Sequence, residues 1–328
     1  LRAGKLPAAA EIIQSAEVGP SLGQKAIDAG IVSSVVGFLL VCVWMVFYYG
    51  RAGWYANAAL LLNVLFLFGV MASFSTRGVI LKRFPLGEKD KLCILFTHAH
   101  GKLRVSARGA RQSSSKLAGV SEPMVILDAQ LHKGTTFHIL AQAETLETFP
   151  VIKTDIGLIS FAMFLLERVE RLTEDEDPAP DLYELLVRTL YLLTASSDPA
   201  SLVLAAQWHI LHLTGYMPRI RECCICDTAL RDTSGIPFYA AHRGGVICHR
   251  CADGYRGETL AFTRPLQATL HQIGDLSTPA DWSSFTVSET IKPLLWQLVR
   301  SHMKAMTDRD LKTMVFLDAM RFDAIGKV

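Results

Sequence analysis

Apolar positions along this chain follow three different rhythms. Residues 29–49 form an apolar run without a charged side chain, and residues 54–74 form a second, interrupted mainly by Asn57 and Asn63. Both are apolar on every side, and about twenty residues is the length that crosses a hydrocarbon core as a helix. Gly50-Arg51-Ala52-Gly53 is a tight connection, with Trp44, Tyr48, Tyr49, Trp54 and Tyr55 beside it, where interfacial aromatics belong. The pattern predicts a transmembrane helical hairpin. At about Phe74 the rhythm shortens to that of strands: residues 75–81, 92–97, 103–111, 124–127 and 137–140, separated by turns such as Gly87-Glu88-Lys89-Asp90 and His100-Gly101-Lys102. Five short strands in this space predict a small barrel, and a five-stranded Greek-key barrel is the OB-fold. From about residue 151 the period becomes helical, with helices expected at 156–172, 182–193, 201–213, 265–273, 287–303 and 308–321.

The predicted fold class is therefore α+β: an N-terminal transmembrane helical hairpin, an OB-fold β-barrel, then an all-α domain carrying a zinc knuckle. The corresponding domains are residues 1–74, 75–150 and 151–328, with the knuckle at 219–256. The chain begins at Leu1 rather than Met, which reads as a fragment.

Net charge is +2, and this hides an asymmetry. Ten basic residues lie between Ser75 and Lys116, opposed only by Glu88 and Asp90. They include Lys82, Arg83, Lys102, Arg104, Arg108, Arg111 and Lys116, which are taken as candidate DNA contacts. Arg104 and Arg108 are separated by an even number and would share one face of a regular strand. A cationic strand feeding a polar loop, Gln112-Ser113-Ser114-Ser115-Lys116, is what an OB-type groove uses to follow a phosphate backbone. The alternative is an ordinary solvated surface. Phe84 and Phe96 offer stacking, although core positions are the expectation for both. The acidic stretch Glu174-Asp175-Glu176-Asp177 reads as a solvated loop.

The clearest chemistry is Cys223-x-x-Cys226 with Cys248-x-x-Cys251, two thiolate pairs that can close a tetrahedron around one structural Zn²⁺. The segment between the pairs reads as strand, turn and strand. Four thiolates leave no open position for a reactive water, so the metal would brace a fold rather than catalyse. A redox pair or buried free thiols are the alternatives. Cys224 competes on paper, but the two-residue spacer selects Cys223; His249 is a bystander. No Walker loop, Gly-x-Ser-x-Gly or HExxH is present. His98 and His100 lack an acidic partner, and His209 and His212 read as structural. The chain is expected not to be an enzyme.

Two resemblances follow. Leu6-Pro7-Ala8, Val18 to Gly23, Tyr48-Tyr49, Gly53 and Ala56 to Asn63 resemble the SecD family of bacterial protein-export subunits, over residues 6–74. Thr76-x-Gly78-Val79-Ile80-Leu81-Lys82, Ala107 to Arg111, Leu213-Thr214-Gly215-Tyr216-Met217-Pro218 and the double cysteine motif resemble the RecO family of recombination mediators, over residues 75–325. Asp227 departs from that pattern, which often has Gly. The RecO resemblance implies a protein of the RecF-pathway type. It would bind single- and double-stranded DNA, anneal complementary strands, engage the single-stranded-DNA-binding protein, and work with RecR to load RecA. It further implies Zn²⁺ on the four cysteines and DNA contacts at Lys102, Arg104, Arg108 and Arg111. Residues 75–328 would be cytoplasmic, at the nucleoid, with residues 29–74 in the inner membrane. The two resemblances place residue 75 on opposite sides of a membrane, so the sequence reads as a fusion or chimaera. Its alternative function is that of a membrane export fragment with an incidental C-terminal part.

Overall fold

The structure is a computed structural model that describes residues 20–70, 74–232, 235–307 and 312–319. Its contacts group into two compact units, Leu1–Ala72 and Ser73–Val328. The export-family motif residues before Pro20 lie outside the described residues.

The first unit is a helical hairpin of α1 (Pro20–Tyr49) and α2 (Arg51–Val70). Gly50 turns the chain at φ 55°, in the region that favours glycine. Gly53 allows the helices to touch, because a side chain there would meet the backbone of Met45. Asn57 Nδ2 donates to the Cys42 carbonyl at 3.0 Å. The helical hairpin expected from the sequence is therefore present. Its spanning of a bilayer is not supported: among the described residues no helix is long and apolar enough to cross a membrane.

The second unit begins with a closed five-stranded barrel, in the order β1-β2-β3-β5-β4. Its strands are β1 (Phe74–Leu86), β2 (Asp90–Thr97), β3 (Gly101–Ala107), β4 (Ile126–His132) and β5 (His138–Glu147), with the short helix α3 (Leu117–Val120) between β3 and β4. All neighbouring strands are antiparallel except β3 and β5, the arrangement of an OB-type barrel. Ile80, Cys93, Leu95, Leu103, Val105, Leu127 and Leu131 fill the interior. Residues of alternate parity face outward, and five of them, Val79, Leu81, Ile94, Phe96 and Ile126, join the helical core instead of meeting water.

That core is built on α4 (Pro150–Thr154), α5 (Ile156–Leu172), α6 (Pro180–Leu193) and α7 (Pro199–Leu213). Asp155 caps α5, accepting from Leu158 N–H at 2.8 Å. α7 is the central helix, buried on nearly every side. Phe96 of β2 meets Tyr183 of α6 with ring centroids 6.0 Å apart, so barrel and helices share one hydrophobic seam. The knuckle follows, with β6 (Phe238–Ala240), β7 (Gly245–Ile247), α8 (His249–Ala252) and β8 (Leu260–Ala261). The chain closes with α9 (Arg264–Gly274), α10 (Pro279–Ser284), α11 (Lys292–Thr307) and α12 (Lys312–Ala319).

Several boundaries differ from expectation: β1 runs on to Leu86, β4 to His132, and α11 starts only at Lys292. β3 stops at Ala107, because Gly109 takes φ 66° and its N–H bonds Asp90 Oδ1 at 2.8 Å. β5 runs to Glu147, although Ala141 to Glu147 contains only helix formers apart from Thr145; pairing along β4 overrides local propensity.

Candidate metal centre and nucleic-acid interface

The sulfurs of Cys223, Cys226, Cys248 and Cys251 lie within 4.8 Å of one another, and Cys226 Sγ is 3.8 Å from Cys248 Sγ. Zn–S bonds of about 2.3 Å in a tetrahedron place sulfurs about 3.8 Å apart. The site therefore fits a single structural zinc ion. The first pair sits on a turn closed by Asp227 N–H to the Cys223 carbonyl at 2.9 Å and Cys223 N–H to the Thr228 carbonyl at 2.9 Å. The second pair starts where β7 enters α8, after the antiparallel β6–β7 ribbon with Phe238 opposite Ile247. Backbone N–H groups of Cys248 and Ile225 point at Cys223 Sγ, at 3.3 and 3.4 Å.

These donors prepare thiolates. The Cys226 thiol is pushed down to about 6, chiefly by the Thr228 hydroxyl, 3.3 Å away, and then by the Thr228 backbone. Burial opposes ionisation of Cys223, but the N–H groups aimed at it leave its pKa lowered. The Cys251 thiol is pushed up to about 12, by burial first and then by the sulfurs around it. Four adjacent thiolates need a cation to share. Cys224 stands apart from the cluster: its N–H bonds the Val246 carbonyl at 2.8 Å, and burial raises its pKa. His249 packs on Phe238 and is not among the clustered ligands.

The structure divides the basic candidates. Five of the seven are engaged within the protein: Lys82, Arg83, Lys102, Arg104 (with Asp175) and Arg111. Lys102 Nζ donates to the carbonyls of Glu170 at 2.9 Å and Thr173 at 2.5 Å, lies 3.4 Å from Asp175, and is largely covered. Lys82 Nζ is 3.5 Å from Glu170, and Arg83 Nε is 2.9 Å from Glu122. Lys102 thus ties the barrel to the helices, beside its strand partner Phe96, which is buried in the seam.

Arg104 is also exposed on β3, and Arg108 and Lys116 are exposed beyond it. Strand register aligns Phe84, Leu92 and Ser106 in one row and Lys82, Ile94 and Arg104 in the next. Arg108 follows β3 and is exposed, but in the turn rather than on the strand. Arg111 N–H donates to the Lys89 carbonyl at 2.9 Å and its Nη1 to the Gly87 carbonyl at 2.5 Å, which ties it to the β1–β2 turn. Lys116 is exposed on the approach to α3. Phe84, expected in the core, is 40% exposed, and Lys82 Nζ sits 5.1 Å from its ring centroid. A bulge between Ile80 and Lys82 turns it outward. Phe96 is buried, as expected. Sequence reasoning left Lys89 and Lys133 off the candidate site. Lys89 joins it through the turn contact with Arg111, and Lys133 lines the cavity beside Arg104.

Residues 71–149 match the family described as Recombination protein O N terminal, and residues 153–314 match Recombination protein O C terminal. The DNA repair protein RecO of Bacillus subtilis (strain 168) is 30% identical over 245 residues, covering 74% of this chain and 93% of the relative. That of Gloeobacter violaceus is 29% identical over 253 residues, 75% of this chain and 93% of the relative. That of Roseiflexus sp. is 30% identical over 251 residues, 76% and 86% respectively. Neither family match reaches the helical hairpin, so the export-protein resemblance finds no support in them.

Proposed function

This chain belongs to the RecO family, and from that premise we propose how its barrel handles DNA. It is a DNA repair and recombination mediator, not an enzyme. The single-strand path runs over the open end of the barrel's outer face. Arg104 and Arg108 flank the row, Lys89 and Arg111 hold the turn beside it, and Phe84 offers an exposed ring for a base. Phosphate neutralisation by the cations supplies affinity, and base stacking on Phe84 adds a sequence-tolerant contribution. The observation that carries this reading is that the exposed Phe84 and Arg104 stand in adjacent rows of one outer face, with Arg108 exposed where β3 ends.

The family further suggests that the protein anneals complementary strands, meets the single-stranded-DNA-binding protein and RecR, and assists RecA loading. The zinc knuckle would act as a brace for the helical body. No membrane role is proposed for the hairpin, and the export-fragment alternative has no observation in its favour.

Annealing of complementary oligonucleotides by the zinc-loaded full chain tests the reading. The wild type accelerates annealing, and Arg108→Glu with Arg111→Glu loses at least about tenfold of the rate at low salt. A folded, zinc-loaded wild type that leaves annealing at its spontaneous rate contradicts the proposal.

A further inference from the structure

The acidic loop after α5 lies against the barrel's cations instead of standing in solvent. Asp175 Oδ2 is 2.8 Å from Arg104 Nε, and its Oδ1 is 3.4 Å from Lys102 Nζ. Glu176 Oε1 is 3.3 Å from His138 Nε2, and Glu176 N–H donates to the Lys102 carbonyl at 2.8 Å. Gly101 admits the loop, since a side chain there would collide with the backbone of Asp177. Glu176 is held at φ 59°, a left-handed conformation that a residue with a side chain adopts at some cost. These contacts close one end of a cavity of about 380 Å³ whose other walls include Arg104, Lys133 and Phe137. The cavity continues the outer face of β3 toward the β4–β5 loop, a region that OB-type barrels present to ligands.

We infer that residues 174–177 are an internal phosphate mimic, which occupies the Lys102–Arg104 end of the groove and is displaced when a nucleic-acid strand fills its whole length. The inference rests on the DNA-binding reading above. Its physical basis is competition. A carboxylate offers the same oxyanion chemistry to Arg104 as a phosphate does. It is covalently tethered, so a short strand bound at the open end leaves it in place. A longer strand delivers a phosphate to Arg104 and takes over the cation. The loop thereby makes tight binding depend on strand length. Asp175 is exposed enough to leave, and the strained backbone at Glu176 relaxes when it does.

The test is equilibrium binding of a fluorescent oligothymidylate by the full chain across a salt series, for the wild type, Asp175→Asn and Asp177→Asn. Asp177 makes no ion pair with the barrel among the described residues and reports the general effect of removing one negative charge. Asp175→Asn is expected to bind about three- to tenfold more tightly. Its plot of log affinity against log salt steepens by about 0.7 for each cation freed. Asp177→Asn stays within about twofold of wild type on both measures. Hydrogen exchange supplies the second readout: the Glu176 amide exchanges faster once DNA is bound. Equal gains in both variants, no gain in Asp175→Asn, or unchanged protection at Glu176 would overturn the mimic while leaving DNA binding intact. A folded wild type that binds no DNA removes the underlying reading as well.

Discussion

Asp227 takes φ 54° and places its Oδ1 2.8 Å from Nη2 of Arg219. The turn after the second cysteine needs the left-handed region, which favours glycine. Arg219 also bonds Glu222, and its backbone alternates with that of Val246 and Gly244, so the ion pair ties the turn to the β6–β7 ribbon. Asp227→Gly should leave zinc binding and stability near wild type, because relief of backbone strain offsets loss of the pair. Asp227→Val keeps the strain without the partner and should cost about 1–3 kcal/mol. Thermal melting with a zinc-release assay separates the two; equal losses would show that the conformation is not what Asp227 supplies.

Metal content gives a sharper outcome. Cys226→Ser and Cys251→Ser should each abolish stoichiometric zinc, and chelation of the wild type should loosen the knuckle, because four sulfurs otherwise crowd without a shared cation. Cys224→Ser should retain one zinc per chain, since its sulfur lies outside the cluster. Elemental analysis of purified variants checks this, and zinc loss in Cys224→Ser would reassign the ligands.

Asp198 and Lys292 join the start of α7 to the start of α11 at 2.8 Å, with Lys292 buried. Burial disfavours the Asp198 carboxylate, but bonds from Lys292 and Ser201 outweigh it and hold its pKa below the ordinary 3.8. A folded pKa below the unfolded one contributes stability that is complete above about pH 4 and fades as pH falls through the folded value. Asp198→Asn should therefore flatten the acid limb of the stability curve and cost about 2–3 kcal/mol at neutral pH, with Glu289 retaining part of the Lys292 charge. Denaturant titrations from pH 2 to 7, roughly the range of carboxylate titration, provide the check. An unchanged acid limb would refute the assignment.

Arg168 is fully buried on α5, and its three guanidinium nitrogens have no hydrogen-bond partner among the described residues. Burial pushes its pKa down to about 9. An uncompensated cation in a core is costly, and an apolar side chain of similar length removes that cost. Arg168→Met is expected to raise the melting temperature, by about 1–3 kcal/mol of stability. A drop of that size would place a partner for Arg168 beyond the described residues.

Much of this architecture was legible in the sequence, for identifiable reasons. The barrel strands are legible because their inward residues alternate, and the metal site because residues three apart meet on one side of a tight turn or of a helix's first turn. β5 was less legible beyond Leu140, since its glutamates, glutamine and alanines carry helix propensity that pairing with β4 overrules. The tie that Lys102 makes to the helices was not legible, because charge counting cannot see that Phe96, opposite it, is buried under α6. Phe84 looked like core because the bulge that turns it outward has no local signature. The acidic loop read as solvated for the same reason: its partners on β3 are about seventy residues away in sequence.

Salt-dependent binding of a single strand by the full chain, compared with Arg104→Ala/Arg108→Ala/Arg111→Ala, addresses the proposed path most directly. If these side chains follow the phosphates, the triple substitution should weaken binding at low salt and reduce the slope of log affinity against log salt by about 2. A triple variant that stays folded, keeps its zinc and reproduces the wild-type slope would contradict the account.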